Sequence, residues 1–443
     1  MFRRRMVPRR GLLPTLLTLL LGSGLLGPGP LGSTAARAQE LTIWHDLGDN
    51  GTKWFAAAGE AFAKTHPGVT VRAISYPTDQ WFGRCIGAIN TGTAPDLIYN
   101  NYERVIRIAA QTHKLMDMQP VLAKIADKDF LSADDLRVAT YAGQMIILPV
   151  QRVQMAFGVR KSWLDKVGEK MPVTWDDTLR VGRKFQTEHP DGGTARVFAF
   201  ALEAANPRDL IHMLDLFTFG AGLRNTLIDD AGNVVIDEPE HAKVLTEFLK
   251  VFTSYHMVPP DVVNYSFNEM YQVIEGGRAG MFRVGDWNVG KWVKPATLNG
   301  DFVVGPWPQF FADKQSAVVI GGMRGVAVPD NSPHKVLATE LAAFLLGKDA
   351  QQASLNVVGA AVRKDLDVSA LPPQSQEFAK PTWNLIAYDF PESVHTWYPQ
   401  LEASFHKKLM AAIANPPSDW NAFIKQTAVE MRTEAKVLAA KPG

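Results

Sequence analysis

The 443-residue sequence predicts an α/β protein, and three observations carry the prediction. Short β-rich runs alternate with helical patterns over most of the chain, which is the rhythm of a sheet covered by helices. Within the helical stretches apolar residues recur at helical spacing, so each helix has a face to bury. The length suggests two or three domains, yet no low-complexity linker and no internal repeat separates them. Lobes without a linker can exchange the chain more than once, with crossing strands as the connection.

Leu41 to Trp44 reads as the first strand. A helix from about Thr52 to Thr65 puts Trp54, Ala58 and Phe62 on one face, and His66-Pro67-Gly68 stops it. Val69 to Ile74 is the next strand, and a helix covers about Asp79 to Asn90. The strand Asp96 to Tyr99 runs straight into a polar corner, Asn100-Asn101-Tyr102-Glu103-Arg104, that opens another helix. In open α/β sheets ligands collect at such strand C-terminal ends, where helix N-termini point. Met145 to Val150 forms a strand that ends in Gln151-Arg152-Val153-Gln154 and runs on into Ala156 to Val159. Thr174-Trp175-Asp176-Asp177 makes a variant capping box at the head of a helix to about Glu188, which casts Trp175 as a packing residue. Helical patterns follow at Arg208 to Phe219, Glu238 to Tyr255 and Phe267 to Glu275, then a strand from Ala279 to Arg283.

With 46% hydrophobic, 21% charged and 10% aromatic residues, the composition excludes a disordered or fibrous chain. Cys85 is the single cysteine, which excludes an intrachain disulfide, a thiolate zinc knuckle and an iron–sulfur cluster. The N-terminus reads as a secretory signal over residues 1–38. It has an arginine-rich start, an apolar run from Gly11 to Leu26 and a small-residue exit at Ala36-Arg37-Ala38, with cleavage expected after Ala38. Pro14 and several glycines interrupt the run, which is short for a spanning helix. Arg9-Arg10-Gly11-Leu12-Leu13 loosely matches a twin-arginine signal as well. No cysteine stands at the cleavage point, so the expected product is soluble and periplasmic, not a lipoprotein. Without the signal and its six arginines, 40 basic residues face 45 acidic ones, a net charge of −5. Such a chain has no basic stripe for phosphates, and nucleic acid is not an expected partner.

Motifs for covalent chemistry are missing. There is no Walker sequence, no HExxH and no GxSxG, and the ten histidines show no metal-ligand spacing. The glycine-rich segments Gly276 to Gly280 and Gly321 to Gly325 do not spell a dinucleotide fingerprint and read as turns. Neither a cofactor, nor a metal, nor a catalytic residue is expected. A glycoside hydrolase or lyase would need two carboxyls flanking the scissile bond, one with a raised pKa, and spacing alone identifies no such pair.

Several separated stretches together resemble the family 1 extracellular solute-binding proteins, the maltodextrin-binding-like receptors of ABC importers. They include Leu41-Thr42-Ile43-Trp44, Phe62 with His66 to Val69, Gly92 to Ile98, Leu148-Pro149-Val150 and Pro172 to Asp177. Later come Phe267 to Trp287 with its core Gly276 to Met281, Ile320-Gly321-Gly322, Val326 to Pro329 and the helix His334 to Leu346. The resemblance implies a two-lobed periplasmic binding protein fold. Crossings are expected near Val150 to Gln154, Ala317 to Gly322 and Leu355. Lobe I would then comprise 39–151 and 320–354, and lobe II 152–319 and 355–443. The implied function is that of a monomeric receptor, not an enzyme, that clamps a sugar or oligosaccharide between the lobes. It would hand that carbohydrate to the permease subunits of an ABC transporter in the inner membrane. A polyol, a glycerophosphodiester or an oligopeptide is the nearer alternative ligand, and Arg104, Arg152 and Arg324 are the cations a phosphate would call for.

A sugar cleft needs aromatic planes for C–H faces and charged hydrogen-bonding groups for hydroxyls. Trp287 occupies the place where the family has a sugar-stacking tryptophan. The corner with Asn100, Tyr102, Glu103 and Arg104 matches a stretch that carries an aromatic and an Asp-Arg pair in maltodextrin-binding relatives. Here Asn100 stands in the aromatic's place and Glu103-Arg104 keeps the acid–base pair, a departure that counts against maltodextrin itself. His45 and Asp46 match a ligand-contacting loop. Gln151, Arg152 and Gln154 lie where the first crossing faces the cleft, although strand alternation lets only one face of that run reach a ligand. Met323 and Arg324 line the second crossing, and Trp383, Trp397 and Tyr398 are further aromatics near the C-terminus. Each has a plainer reading: core packing for the aromatics, a solvated helix turn for Glu103 and Arg104, an ordinary turn for His45 and Asp46.

Overall fold

The computed structural model describes residues 39–379, 383–387 and 395–440. The signal expected at 1–38 lies outside them. The described strands are β1 (Gln39–His45), β2 (Val69–Ser75), β3 (Leu97–Asn101), β4 (Thr140–Tyr141), β5 (Gln144–Met145) and β6 (Leu148–Val159). They continue with β7 (Phe198–Phe200), β8 (Ala279–Gly285), β9 (Val303–Gly305), β10 (Val318–Ala327) and β11 (Leu385–Ala387). Nine of them form one sheet in the order β2-β1-β3-β10-β6-β8-β7, with β11 beside β10 and β9 beside β6; β4 and β5 make a separate hairpin.

Two long antiparallel strands carry this sheet from one half to the other. The end of β10 at Arg324–Ala327 pairs with β3 in a half completed by the parallel strands β1 and β2. The end of β6 at Met155–Val159 pairs with β8 and β9, and β7 lies parallel to β8. Over Leu148–Met155 and Val319–Val326 β6 and β10 pair with each other, with register shifts at Ile320/Gly322 and Arg324/Gly325. Of the three segments expected as crossings, Val150 to Gln154 belongs to β6 and Ala317 to Gly322 overlaps the start of β10. Gln151 to Gln154 is not a break between two strands, however, because β6 is continuous for 12 residues. Its polar side chains are accommodated by partners: Gln151 donates to Ser354 Oγ at 2.6 Å and accepts from the Tyr99 hydroxyl, and Arg152 is ion-paired to Asp135. Leu355, the expected third crossing, lies inside the helix Lys348–Val358. The chain reaches β6 only afterwards, where the Arg152 N–H donates to the Ala361 carbonyl at 3.3 Å.

The helices form where apolar periodicity and caps agree. Gly48–Ala63 buries Trp54, Phe55, Ala58 and Phe62, and the Trp54 indole donates to the Ala350 carbonyl at 3.1 Å. The Thr174 capping box is present: Asp177 N–H donates to Thr174 Oγ1 at 3.1 Å, and Asp177 Oδ2 accepts from the Thr174 N–H at 3.2 Å. Trp175 is buried, stacked on Phe310 with ring centres 4.8 Å apart. Among the described residues no helix is long and apolar enough to cross a membrane.

Candidate functional site

Loops and helix starts at the C-terminal ends of β1 and β3 build one wall. Asp46 follows β1, and its nearly buried carboxylate binds two guanidiniums: Arg324 of β10 in close contact and Arg104 at 3.6 Å. Arg324 also donates to Asn100 Oδ1 at 3.4 Å and lies over the Tyr99 ring at 5.2 Å. Glu103, in the first turn of the helix Tyr102–Thr112, is buried, and Arg104 lies 4.0 Å from it. Of the sequence-predicted residues, Asp46, Asn100, Glu103, Arg104 and Arg324 are therefore one interlocked charge cluster.

The second wall comes from β7, β8 and the helices that follow them. Asp286 and Trp287 start the helix Asp286–Trp292 directly after β8. Trp287 is half-buried and lies across Gly285, where a Cβ would meet its ring at 2.3 Å, so only glycine permits that approach. The Tyr271 hydroxyl belongs to the same wall, where the Asn288 side chain donates to it at 2.8 Å. Gly359, left-handed at φ +88°, ends the helix Lys348–Val358 and presses the chain against the Asp286 carbonyl. One ion pair spans the walls: Arg208 of the helix Pro207–Gly220 lies 3.8 Å from Glu103.

A cavity of about 300 Å³ opens beside the crossing. Arg152, Gln154, Asp286, Phe378 and Trp383 line it together with residues between Gly359 and Val368. Asp286 Oδ2 accepts from the Gln154 N–H at 3.1 Å, while burial pushes its carboxyl up to about 8. Burial likewise pushes Glu203 up to about 7, against the pull of Arg283 at 3.3 Å.

The distribution of unsatisfied polar atoms is the most telling feature. Asn100 Nδ2, Arg324 Nε, Gln154 Oε1, Asp286 Oδ1, Glu203 Oε2, and Arg283 Nε and Nη2 are all buried without a hydrogen-bond partner. They lie on the two walls and the crossing between them. Each such atom costs about 1–3 kcal/mol when unsatisfied; single atoms of this kind also occur at His189, Thr226, His241 and Asn331, but these seven gather where a ligand would complete them.

Other predicted residues are committed to the chain itself. His45 is fully buried: its Nδ1 accepts from the Leu47 N–H at 3.2 Å, and its Nε2 is 3.3 Å from Thr52 Oγ1. Burial lowers its pKa to about 4, so the ring is neutral. Arg152 borders the cavity but donates to Asp135 and to the Val362 carbonyl, Gln151 is occupied by Tyr99 and Ser354, and Tyr102, Met323 and Tyr398 are buried among apolar neighbours. Trp383 packs edge-on against Phe378, whereas Trp397 borders a separate surface hollow with Gly232 and Arg432. Sequence reasoning missed Glu203, Arg208, Phe267, Arg283 and Asp286. The rule that led to Asn100, ligands at strand C-terminal ends, points equally to Glu203 after β7 and to Arg283 and Asp286 at the end of β8.

Solved structures similar to this chain include sugar-binding proteins. An ABC transporter solute-binding protein from Thermotoga lettingae, bound with α-D-tagatose, is 20% identical with a TM-score of 0.68, over 90% of this chain and 100% of that one. The cyclic α-maltosyl-1,6-maltose binding protein from Arthrobacter globiformis is 18% identical with a TM-score of 0.71, over 90% and 99%. The Thermus thermophilus maltotriose binding protein, bound with maltotriose, is 20% identical with a TM-score of 0.64, over 89% and 99%. These likenesses show the two-lobed periplasmic binding protein fold. No curated protein matches the chain. The family of bacterial extracellular solute-binding proteins matches residues 47–352. The alternating elements, the two crossing strands and the match over more than half its length place this chain in the bacterial extracellular solute-binding protein family.

Proposed function

We propose that this chain is the sugar-binding receptor of an ABC importer. It is exported by residues 1–38, works in the periplasm as a monomer without a lipid anchor, and passes its ligand unchanged to the permease subunits in the inner membrane. Its lobes divide as 39–151 with 320–354 and 152–319 with 355–443, and the ligand lies between them. The observation that carries the reading is the set of unpaired buried donors and acceptors on both walls beside the half-buried Trp287. A hydroxyl both donates and accepts, so a polyhydroxylated ring can complete both kinds of atom while its C–H face covers an indole. Sugars also accompany all three receptors compared above.

Isothermal titration against a panel of mono- and oligosaccharides and polyols tests this. The expected outcome is saturable binding of at least one sugar, recovered intact by chromatography after long incubation. Turnover of the bound sugar would sink the receptor reading and favour a hydrolase.

A further inference from the structure

Arg283 lies at the end of β8, only 2% exposed, and just one of its three guanidinium nitrogens is engaged. Nη1 lies 3.3 Å from Glu203 and 3.5 Å from His212 Nδ1. Nε and Nη2, which together form one edge of the planar fork, have no partner. The ring of Phe267, 37% exposed, is 5.0 Å from the guanidinium centre and holds its plane from one side. Glu203 is equally buried and retains one unpaired oxygen.

From this geometry we infer that the Nε/Nη2 edge of Arg283 is a subsite for a carboxylate on the ligand, so that the preferred substrate is an acidic sugar of the uronate class. The inference rests on the reading of the cleft as a sugar site. Two parallel N–H groups on one edge match the two oxygens of a carboxylate. A neutral hydroxyl would satisfy hydrogen bonds but not the charge. That charge lacks a full counter-ion, because burial raises Glu203 to about 7 and leaves it about half ionised at pH 7, and His212, lowered by burial, is uncharged. Arg208 adds a second cation on the same wall. Glu203 Oε2 is then placed for a hydroxyl next to the carboxylate. A phosphate would also fit a guanidinium fork, and the titration separates the two.

The test is titration of the mature protein with D-galacturonate and D-glucuronate, their neutral parents D-galactose and D-glucose, and glucose 6-phosphate. The uronate is expected to bind about 10-fold or more tightly than its parent. Arg283→Gln should abolish that preference, and Arg283→Lys, which keeps the charge but loses the fork, should reduce it without restoring wild-type affinity. Should Arg283→Gln fail to fold by circular dichroism, Phe267→Ala provides the second arm and should weaken the uronate more than the parent. Neutral sugars binding as tightly as uronates would overturn the carboxylate subsite and leave the sugar receptor standing. Preference for the phosphate would overturn it as well, and no binding by any sugar would remove both.

Discussion

Trp287 and His45 show how position in the cleft separates aromatic side chains that composition treats alike. The Trp287 indole rests on Gly285, so it is pre-oriented while only half-buried. Trp287→Ala should cost a stack and some apolar area, on the order of 1–3 kcal/mol or about 5- to 150-fold in sugar affinity, with an unchanged melting profile. Titration calorimetry with whichever sugar binds reads this out, and wild-type affinity would remove Trp287 from the site. Asp286 carries the clearest pH signature. Folded, it keeps its proton up to about pH 8, whereas an unfolded Asp releases it near 3.8. The stability it contributes is therefore complete below pH 3.8 and is lost as pH rises towards 8, on the order of 1 kcal/mol per pH unit inside that window. Asp286→Asn should flatten this slope in urea unfolding between pH 5 and 8. Glu203 acts in the same direction between 4.5 and about 7. His45 opposes both, because its contribution is present above 6.5 and lost as pH falls towards 4. An unaltered slope in Asp286→Asn would show that the carboxyl is ionised in the folded protein.

A buried ion pair joins β6 to the short helix Ala133–Val138. Arg152 and Asp135 are both almost fully enclosed, and Asp135 also caps its helix by accepting from the Ser132 N–H at 2.7 Å. Removing one partner leaves an uncompensated buried charge, so Asp135→Ala should destabilise the fold by about 3–5 kcal/mol in denaturant titration. A change below 1 kcal/mol would mean that Arg152 finds water instead. The same pair explains why Arg152 could not be sorted from the sequence. A polar run within a strand signals either a ligand-facing surface or an internal network, and only Asp135, distant in the chain, decides between them.

Across the whole molecule, the halves of the sheet share β6 and β10 and meet again at the 3.8 Å contact of Glu103 with Arg208. Motion about two crossing strands opens such a cleft, and a ligand favours the closed state only by its differential affinity for closed over open. Small-angle scattering should therefore show a smaller radius of gyration at saturating sugar than without it. An unchanged radius alongside calorimetric binding would mean that the protein does not close on its ligand. What the sequence by itself determined was periodic and local: the α/β alternation, the Thr174 capping box, the face of Trp54 and Phe62, and the polar corner at Asn100. These follow from spacing and nearest-neighbour chemistry, which a linear chain displays directly. Only the tertiary structure decided which polar residues are spent on the fold and which remain open. Asp46 and Arg324 are 278 residues apart and Glu203 and Arg283 are 80 apart, yet each pair shares one charge environment. Burial, which sets both their pKa values and their unsatisfied atoms, is a property of what the rest of the chain packs around them.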